Sequence, residues 1–235
     1  MYDLPSEEVG EPGLPDEYHP LQAQLLRSTF QPSTYPSERV FSVMDMNLYY
    51  DENNTRRYKR PDWFGVVGVP RFYEERELRK SYVTWQEGVG PFIIVELLSP
   101  STRGEDLGQT EAEPDGSPTK WQVYENILRV PYYVIYDGER DYFQVFHRDN
   151  GCYQELELDG DRLWMEELGL GLRLWRGIYD GLERLWLRFD DASGALIPTE
   201  AERERQEKEQ AQSALQELRD RLQAMGLDPD NLPQE

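Results

Sequence analysis

The sequence predicts an α/β fold in which helices flank a mixed central sheet. Two apolar runs of strand length, residues 92–98 and 132–136, predict central strands that are covered on both faces. Between them, aromatic and leucine side chains at spacings of three and four predict a helix over 120–129. Strands that alternate with a helix in this way are typical of an α/β domain.

The remaining elements follow from the same periodicities. Leucines at helical spacing predict a short amphipathic helix over 19–30. Alternating apolar and polar residues predict one continuous strand over 40–50, and a second strand over 62–69 ends at Pro70. The segments predicted to complete the domain are a hairpin of 141–147 and 152–158 around an Asp-Asn-Gly turn, then further strands over 162–198.

The composition divides the chain into four parts. Residues 1–18 are rich in proline, glycine and acids, which predicts a disordered segment. Residues 19–198 form the predicted globular domain. Residues 199–227 are predicted to be an amphipathic helix whose two heptads of apolar seam permit a coiled coil, and 228–235 a tail.

Cysteine usage and hydropathy exclude several classes of protein. The single Cys152 excludes a disulfide scaffold and a cysteine-based zinc site. No run of about 18 apolar residues is present, so neither a transmembrane helix nor a membrane partner is expected. The acidic, proline-rich N-terminus is unlike a signal peptide, and we expect a cytoplasmic protein.

Charge is unevenly distributed along the 235 residues. The net charge of −21 disfavours indiscriminate binding to nucleic acid, because phosphate repels carboxylate. Residues 56–80, however, hold eight basic and four acidic side chains. This segment is either one mixed-charge part of a solvated surface or a patch that faces phosphate. Residues 105–115 carry five acids and no base, which predicts an acidic loop.

Three charged residues stand where chemistry is expected. Glu96 lies inside an apolar strand, where a carboxylate costs several kcal/mol unless it is paired, protonated or bound to a cation. Asp62 begins another strand, and neighbouring strands lie about 4.8 Å apart, so two carboxylates on them can share a divalent cation. Lys120 begins the following helix and supplies a positive group for a phosphoryl oxygen or a water. The structural alternative for Glu96 is a buried salt bridge or a strand whose other face is exposed to solvent.

These residues carry a resemblance to known nucleases. The order Pro61-Asp62, Glu96, Lys120 resembles the PD-(D/E)XK pattern on a restriction-endonuclease-like core. A narrower resemblance, to the Uma-two endonuclease family, rests on the segments IIVELLSPSTRGEDLG and KWQVYENILRVPYYVIYD. It covers roughly residues 40–150. The further positions that match the family pattern are Asp106, Tyr124, 130–133 and Asp137.

The resemblance implies a metal-dependent endonuclease that hydrolyses DNA phosphodiester bonds. Asp62 and Glu96 are then the expected ligands of Mg²⁺ or Mn²⁺, and Lys120 the third catalytic residue. The residue two after Glu96 is Leu98, so the literal E-x-K is absent and Lys120 is expected to replace that lysine from the helix. The alternative is an inactive nuclease fold that serves as a binding or scaffold module. Self-association through the C-terminal helix would give a homodimer.

Overall fold

A computed structural model describes residues 16–111, 116–138, 140–158 and 160–225. The chain divides into two compact units, Met1–Ile197 and Pro198–Glu235. The predicted tail and all but the last three residues of the predicted disordered segment lie outside the described residues. No helix in the described part of the chain has the length and hydropathy needed to cross a membrane.

The two units contain five α-helices and twelve strands in the described residues. In chain order these are α1 (Tyr18–Thr29), β1 (Val40–Met44), β2 (Leu48–Tyr49), β3 (Tyr58–Lys59), β4 (Trp63–Val67), β5 (Tyr82–Val83), α2 (Thr84–Glu87), β6 (Ile93–Leu97), α3 (Arg103–Asp106), α4 (Lys120–Gln122), β7 (Tyr132–Asp137), β8 (Tyr142–Asp149), β9 (Cys152–Glu155), β10 (Arg162–Met165), β11 (Leu170–Tyr179), β12 (Leu182–Asp190) and α5 (Glu200–Ala224).

A six-stranded mixed sheet forms the centre of the first unit, with the order β1-β4-β6-β7-β8-β9. The pair β6–β7 is parallel, and its connection contains α3 and α4, whereas the other neighbours are antiparallel. Two three-stranded sheets, β10-β11-β12 and β3-β2-β5, accompany it. The predicted α/β fold with a mixed central sheet, flanking helices and a C-terminal helix is confirmed.

One side of the central sheet, here called the α1 face, is apolar. It contains Trp63 and Val95, which pack with Phe30, the residue after α1, and with Phe189 of β12 in one buried cluster. Gly65 leaves room for the Phe30 ring against the sheet, because a Cβ at this position would lie 2.7 Å from that ring. Close packing of the helix and the second sheet therefore buries the central strands on this face.

The opposite side, here called the α4 face, is apolar along most of its length. Phe64 and Ile94 of neighbouring central strands pack with Tyr82 of the small sheet and with Tyr124 and Tyr133. These apolar side chains are interrupted at one end of β4 and β6, where Asp62 and Glu96 share the face with them. The candidate site lies at that end.

The predicted strand over 40–50 is broken in two, so the prediction of one continuous strand is wrong. Asp45 has a φ of 51°, in the left-handed region that aspartate tolerates better than most residues. Its backbone N–H donates to the Asp62 carbonyl (3.1 Å), and its carboxylate pairs with Arg60 at 2.7 Å. These contacts stabilise the turn at Asp45. The alternating sequence pattern alone does not reveal them.

The predicted helix that begins after Thr119 is confirmed. Thr119 and Gln122 form a capping box, in which each side chain accepts a hydrogen bond from the other residue's backbone N–H. The helix continues beyond α4 as a π-helical turn, Val123–Ile127. This cap places Lys120 in the first helical turn and Tyr124 four residues later, on the same side of the helix.

The second unit contains α5, a 25-residue helix. A second capping box, between Thr199 and Glu202, begins it. None of its described side chains is buried, and Leu215 and Leu218 are more than half exposed.

Candidate active site

Pairing of β4 with β6 brings Asp62 and Glu96 together. Trp63 is opposite Val95 in this antiparallel pair, so the residues one step further, Asp62 and Glu96, face each other. The Asp62 backbone N–H donates to Glu96 Oε2 (3.3 Å), and the Leu97 N–H donates to Asp62 Oδ2 (2.7 Å). Two carboxylates predicted from separate strands therefore meet at one end of the sheet.

Glu96 is fully buried and is held at both oxygens. Tyr124 donates its hydroxyl to Glu96 Oε1 at 2.7 Å, and Lys120 Nζ lies 3.2 Å from Glu96 Oε2. The structural alternative for Glu96, a buried salt bridge, is thus present in the protein. It does not account for Asp62, which shares this site and is partly exposed.

Lys120 has a second and closer carboxylate partner. Its Nζ lies 2.7 Å from Asp106 Oδ1, and the Lys120 backbone N–H donates to Glu105 Oε1 (3.1 Å). Asp106 ends the short helix α3 and is fully buried, with its carbonyl accepting from the Tyr133 hydroxyl at 2.8 Å. The connection between β6 and α4 is therefore folded back onto the site.

Asp106 and Tyr124 are the residues that the prediction from sequence left out of the site. Tyr124 follows Lys120 by four residues, a spacing that places both on one side of a helix and signals their proximity. Asp106 is one of five acids in a polar segment, and its position in the resemblance is the signal that singles it out. Its burial depends on α3, which no apolar periodicity in this segment predicts.

The site has an excess of negative charge. Burial, and then the neighbouring Glu96 and Asp106 carboxylates, raise the pKa of Asp62 well above its usual value. Burial raises the pKa of Glu96 to about 7, although Lys120 opposes this shift. Burial acts to lower the pKa of Lys120, but Asp106, Glu96 and Asp62 together raise it well above 10.5. The site therefore favours an additional positive charge.

The donor set suits a hard cation at Asp62 and Glu96. Both residues are carboxylates at the margin of a buried cluster, and carboxylate oxygen is the ligand that Mg²⁺ and Mn²⁺ prefer. Within the described ranges, no group of three or more His, Cys, Asp or Glu is arranged to hold a metal ion. Two carboxylates suit a cation that keeps several water ligands, as Mg²⁺ usually does.

The basic segment 56–80 contains several ion pairs. Lys59 Nζ lies 2.9 Å from Glu105, and the buried Arg79 donates twice to Glu87. Arg60, as described above, pairs with Asp45. Of these, the Lys59 pair is next to the site, because Glu105 also accepts from the Lys120 backbone.

The central sheet, its flanking helices and this cluster at the sheet end define a restriction-endonuclease-like α/β protein. The model of the Uma2 family, described as "Putative restriction endonuclease", matches residues 1–178. The chain therefore belongs to the Uma2 (Uma-two) family, as the resemblance predicted. No curated protein matches it.

Proposed function

We propose that this chain is a cytoplasmic, metal-dependent endonuclease that hydrolyses phosphodiester bonds in DNA. The observation that carries the proposal is the meeting of Asp62 and Glu96 on paired strands, with Lys120 Nζ 3.2 Å from Glu96. Family membership supports nuclease chemistry, and the order of the three residues supports the PD-(D/E)XK type.

Each residue has a role that its surroundings support. Asp62, partly exposed, and Glu96 would hold Mg²⁺ or Mn²⁺, while Tyr124 keeps the Glu96 carboxylate in a fixed orientation. A metal held by these two residues would lower the pKa of a bound water and offset negative charge on the phosphate. Lys120 orients the attacking water or binds a phosphoryl oxygen through its ammonium group.

Replacement of Asp62 tests the proposal directly. Plasmid and oligonucleotide DNA are incubated with Mg²⁺ or Mn²⁺ and either the wild-type chain or the Asp62→Asn variant. We expect wild-type cleavage in the presence of metal and none with the variant, because one of two ligands loses its charge. Asp149→Asn, at an exposed hairpin position, is the matched control and should cleave normally. Metal-dependent cleavage by Asp62→Asn would overturn the assignment.

A second candidate function is a binding or scaffold module without catalysis. It is favoured by the ion pairs that Lys120 makes with Glu96 and Asp106, which partly neutralise these acids without a metal, and by the net charge of −21. Isothermal titration with Mn²⁺ separates the two functions. The nuclease requires binding that Asp62→Asn abolishes, whereas a scaffold requires no binding at this pair.

The exposed leucines of α5 support a homodimer formed through this helix. Ala211, Leu215, Leu218 and Leu222 continue at spacings of four and three, the repeat of a coiled-coil seam. Sedimentation of the full chain and of a chain truncated after Pro198 tests this proposal. We expect the full chain to sediment as a dimer and the truncated chain as a monomer. The same number of chains per particle for both would contradict the proposal.

A further inference from the structure

The Lys120 ammonium and a cation at Asp62 and Glu96 compete for the same oxygen. Glu96 Oε1 accepts from the Tyr124 hydroxyl, which leaves Oε2 as the oxygen nearer to Asp62, whose N–H donates to it. Lys120 Nζ lies 3.2 Å from that same Oε2. A cation shared by the two acids therefore requires that the ammonium withdraw from Glu96.

Asp106 is placed to receive the ammonium. Its Oδ1 is already the nearer partner of Lys120 Nζ, at 2.7 Å against 3.2 Å for Glu96. Its Oδ2 is buried and has no hydrogen-bond partner in the described part of the chain, so it can accept a further bond. The ammonium is carried on a flexible four-carbon side chain, which allows it to move the short distance from Glu96 towards Asp106.

The position of Asp106 is set by the core rather than by Lys120. Its carbonyl accepts from the buried Tyr133 hydroxyl, and its N–H donates to the Thr102 carbonyl at 3.0 Å. The carboxylate is therefore held in place whether or not the ammonium leaves Glu96. A fixed acid beside a mobile lysine is the arrangement that exchange between two carboxylates needs.

The charges of the cluster favour the same exchange. When ionised, the carboxylates of Asp62, Glu96 and Asp106 with one ammonium carry two net negative charges, which one divalent cation neutralises. Without Asp106, the Lys120 ammonium would pair with Glu96 instead, and a cation would have to displace it. Removing one partner from such a pair in a buried site is costly.

We infer that Asp106 is a positioning residue that draws Lys120 away from Glu96 and so frees Glu96 for a divalent cation. The inference rests on the proposed function, because it assumes a cation at Asp62 and Glu96. Asp106 acts through Lys120 and does not itself ligate the cation. The lysine remains beside the site, paired with Asp106, where its ammonium reaches the phosphate or the water.

A double-mutant cycle tests this inference through Mn²⁺ affinity, without any measurement of cleavage. Titration calorimetry is carried out on the wild-type chain, Asp106→Asn, Lys120→Met and the double variant. We expect Asp106→Asn to weaken binding about tenfold when Lys120 is present. In the K120M background the same change should cost less than about threefold, because no ammonium then competes for Glu96.

The outcomes separate this inference from the proposed function. Equal losses in the two backgrounds would show that Asp106 acts directly on the cation, and unchanged binding by Asp106→Asn would show that it does not act at all. Either result overturns the inference while wild-type binding upholds the metal site. Absence of Mn²⁺ binding by the wild-type chain overturns the proposed function and the inference with it.

A second test follows Lys120 in the wild-type chain and uses a conservative variant only to assign its resonance. The ¹⁵Nζ resonance of Lys120, assigned by its loss in Lys120→Arg, is followed as diamagnetic Mg²⁺ is added. We expect the signal to shift and to remain protected from solvent exchange, since the ammonium stays paired with buried Asp106. Loss of the signal to rapid exchange on Mg²⁺ binding would overturn the inference.

Discussion

The two faces of the central sheet are built from the same strands and are used differently. On the α1 face, Trp63 and Val95 are enclosed by apolar side chains and contribute stability through burial. On the α4 face, the adjacent residues Asp62 and Glu96 bring negative charge to the margin of the core. The packing residues and the acids are direct neighbours along each strand. They lie on opposite faces because side chains alternate between the faces of a sheet.

This difference separates stability from chemistry. Apolar packing encloses the α1 face, whereas the acids on the α4 face exceed the positive charge that Lys120 provides. Substitutions on the α1 face should therefore lower the free energy of unfolding at every pH. Substitutions of the acids should change stability in a way that depends on pH and on metal.

Truncation of Trp63 should produce the largest loss of stability. This side chain is fully buried and contacts the rings of Phe30 and Phe189. We expect Trp63→Ala to lower the free energy of unfolding by about 3–5 kcal/mol, measured by urea denaturation. Ile178→Ala, at an exposed position, is the control and should change it by less than about 0.5 kcal/mol. A loss below about 1 kcal/mol would contradict the closed packing of this face.

Glu96 should give a pH-dependent effect of intermediate size. Its pKa is raised from 4.5 to about 7, so its contribution to stability is fully present below about pH 4.5 and is lost as pH rises through about 7. Across that range, the free energy of unfolding of the metal-free wild-type chain should therefore fall by about 3 kcal/mol relative to that of Glu96→Gln.

Denaturation of both chains at several pH values measures the relative loss expected for Glu96. Gly65→Ala, on the α1 face, serves as the comparison and should differ from wild type by the same amount at each pH. A flat difference between wild type and Glu96→Gln would remove the distinction between the two faces.

Addition of a methyl group at Gly65 should have the smallest of these effects. The new Cβ would meet Phe30 at 2.7 Å and Trp63 at 2.9 Å, so the rings must shift. Overpacking of this kind costs about 1–3 kcal/mol. Thermal unfolding measures the loss, and Gly194→Ala is unsuitable as a control because its φ of 80° adds backbone strain. An unchanged or raised melting temperature for Gly65→Ala would show that α1 is loosely packed.

The elements with strong periodicity were predictable, and those held by long-range contacts were not. The apolar runs around Glu96 and in β7 become buried strands, and the Thr119 cap begins a helix as predicted. The break at Asp45 depends on contacts with Arg60 and the Asp62 backbone, which are formed only in the folded chain. Local alternation therefore predicted a strand through a residue that turns.

The candidate site shows the same division. Glu96 became a candidate because a charge is unexpected within an apolar strand, and Asp62 and Lys120 became candidates because each begins a neighbouring element. Asp106 lies in a polar segment where an acid is ordinary, and the unusual feature is its burial. Burial of that kind is a property of the folded connection between β6 and α4 and has no local signature.

The sequence by itself determined the strongly periodic strands and the capped helices, because side-chain periodicity and caps act over a few residues. It also determined that a carboxylate lies within an apolar strand. The tertiary structure alone decided that β4 and β6 pair in the register that joins Asp62 to Glu96, and that α3 returns Asp106 to Lys120. The β4–β6 register and the position of α3 depend on the burial of side chains from distant segments. No local sequence pattern encodes the free energy of that burial.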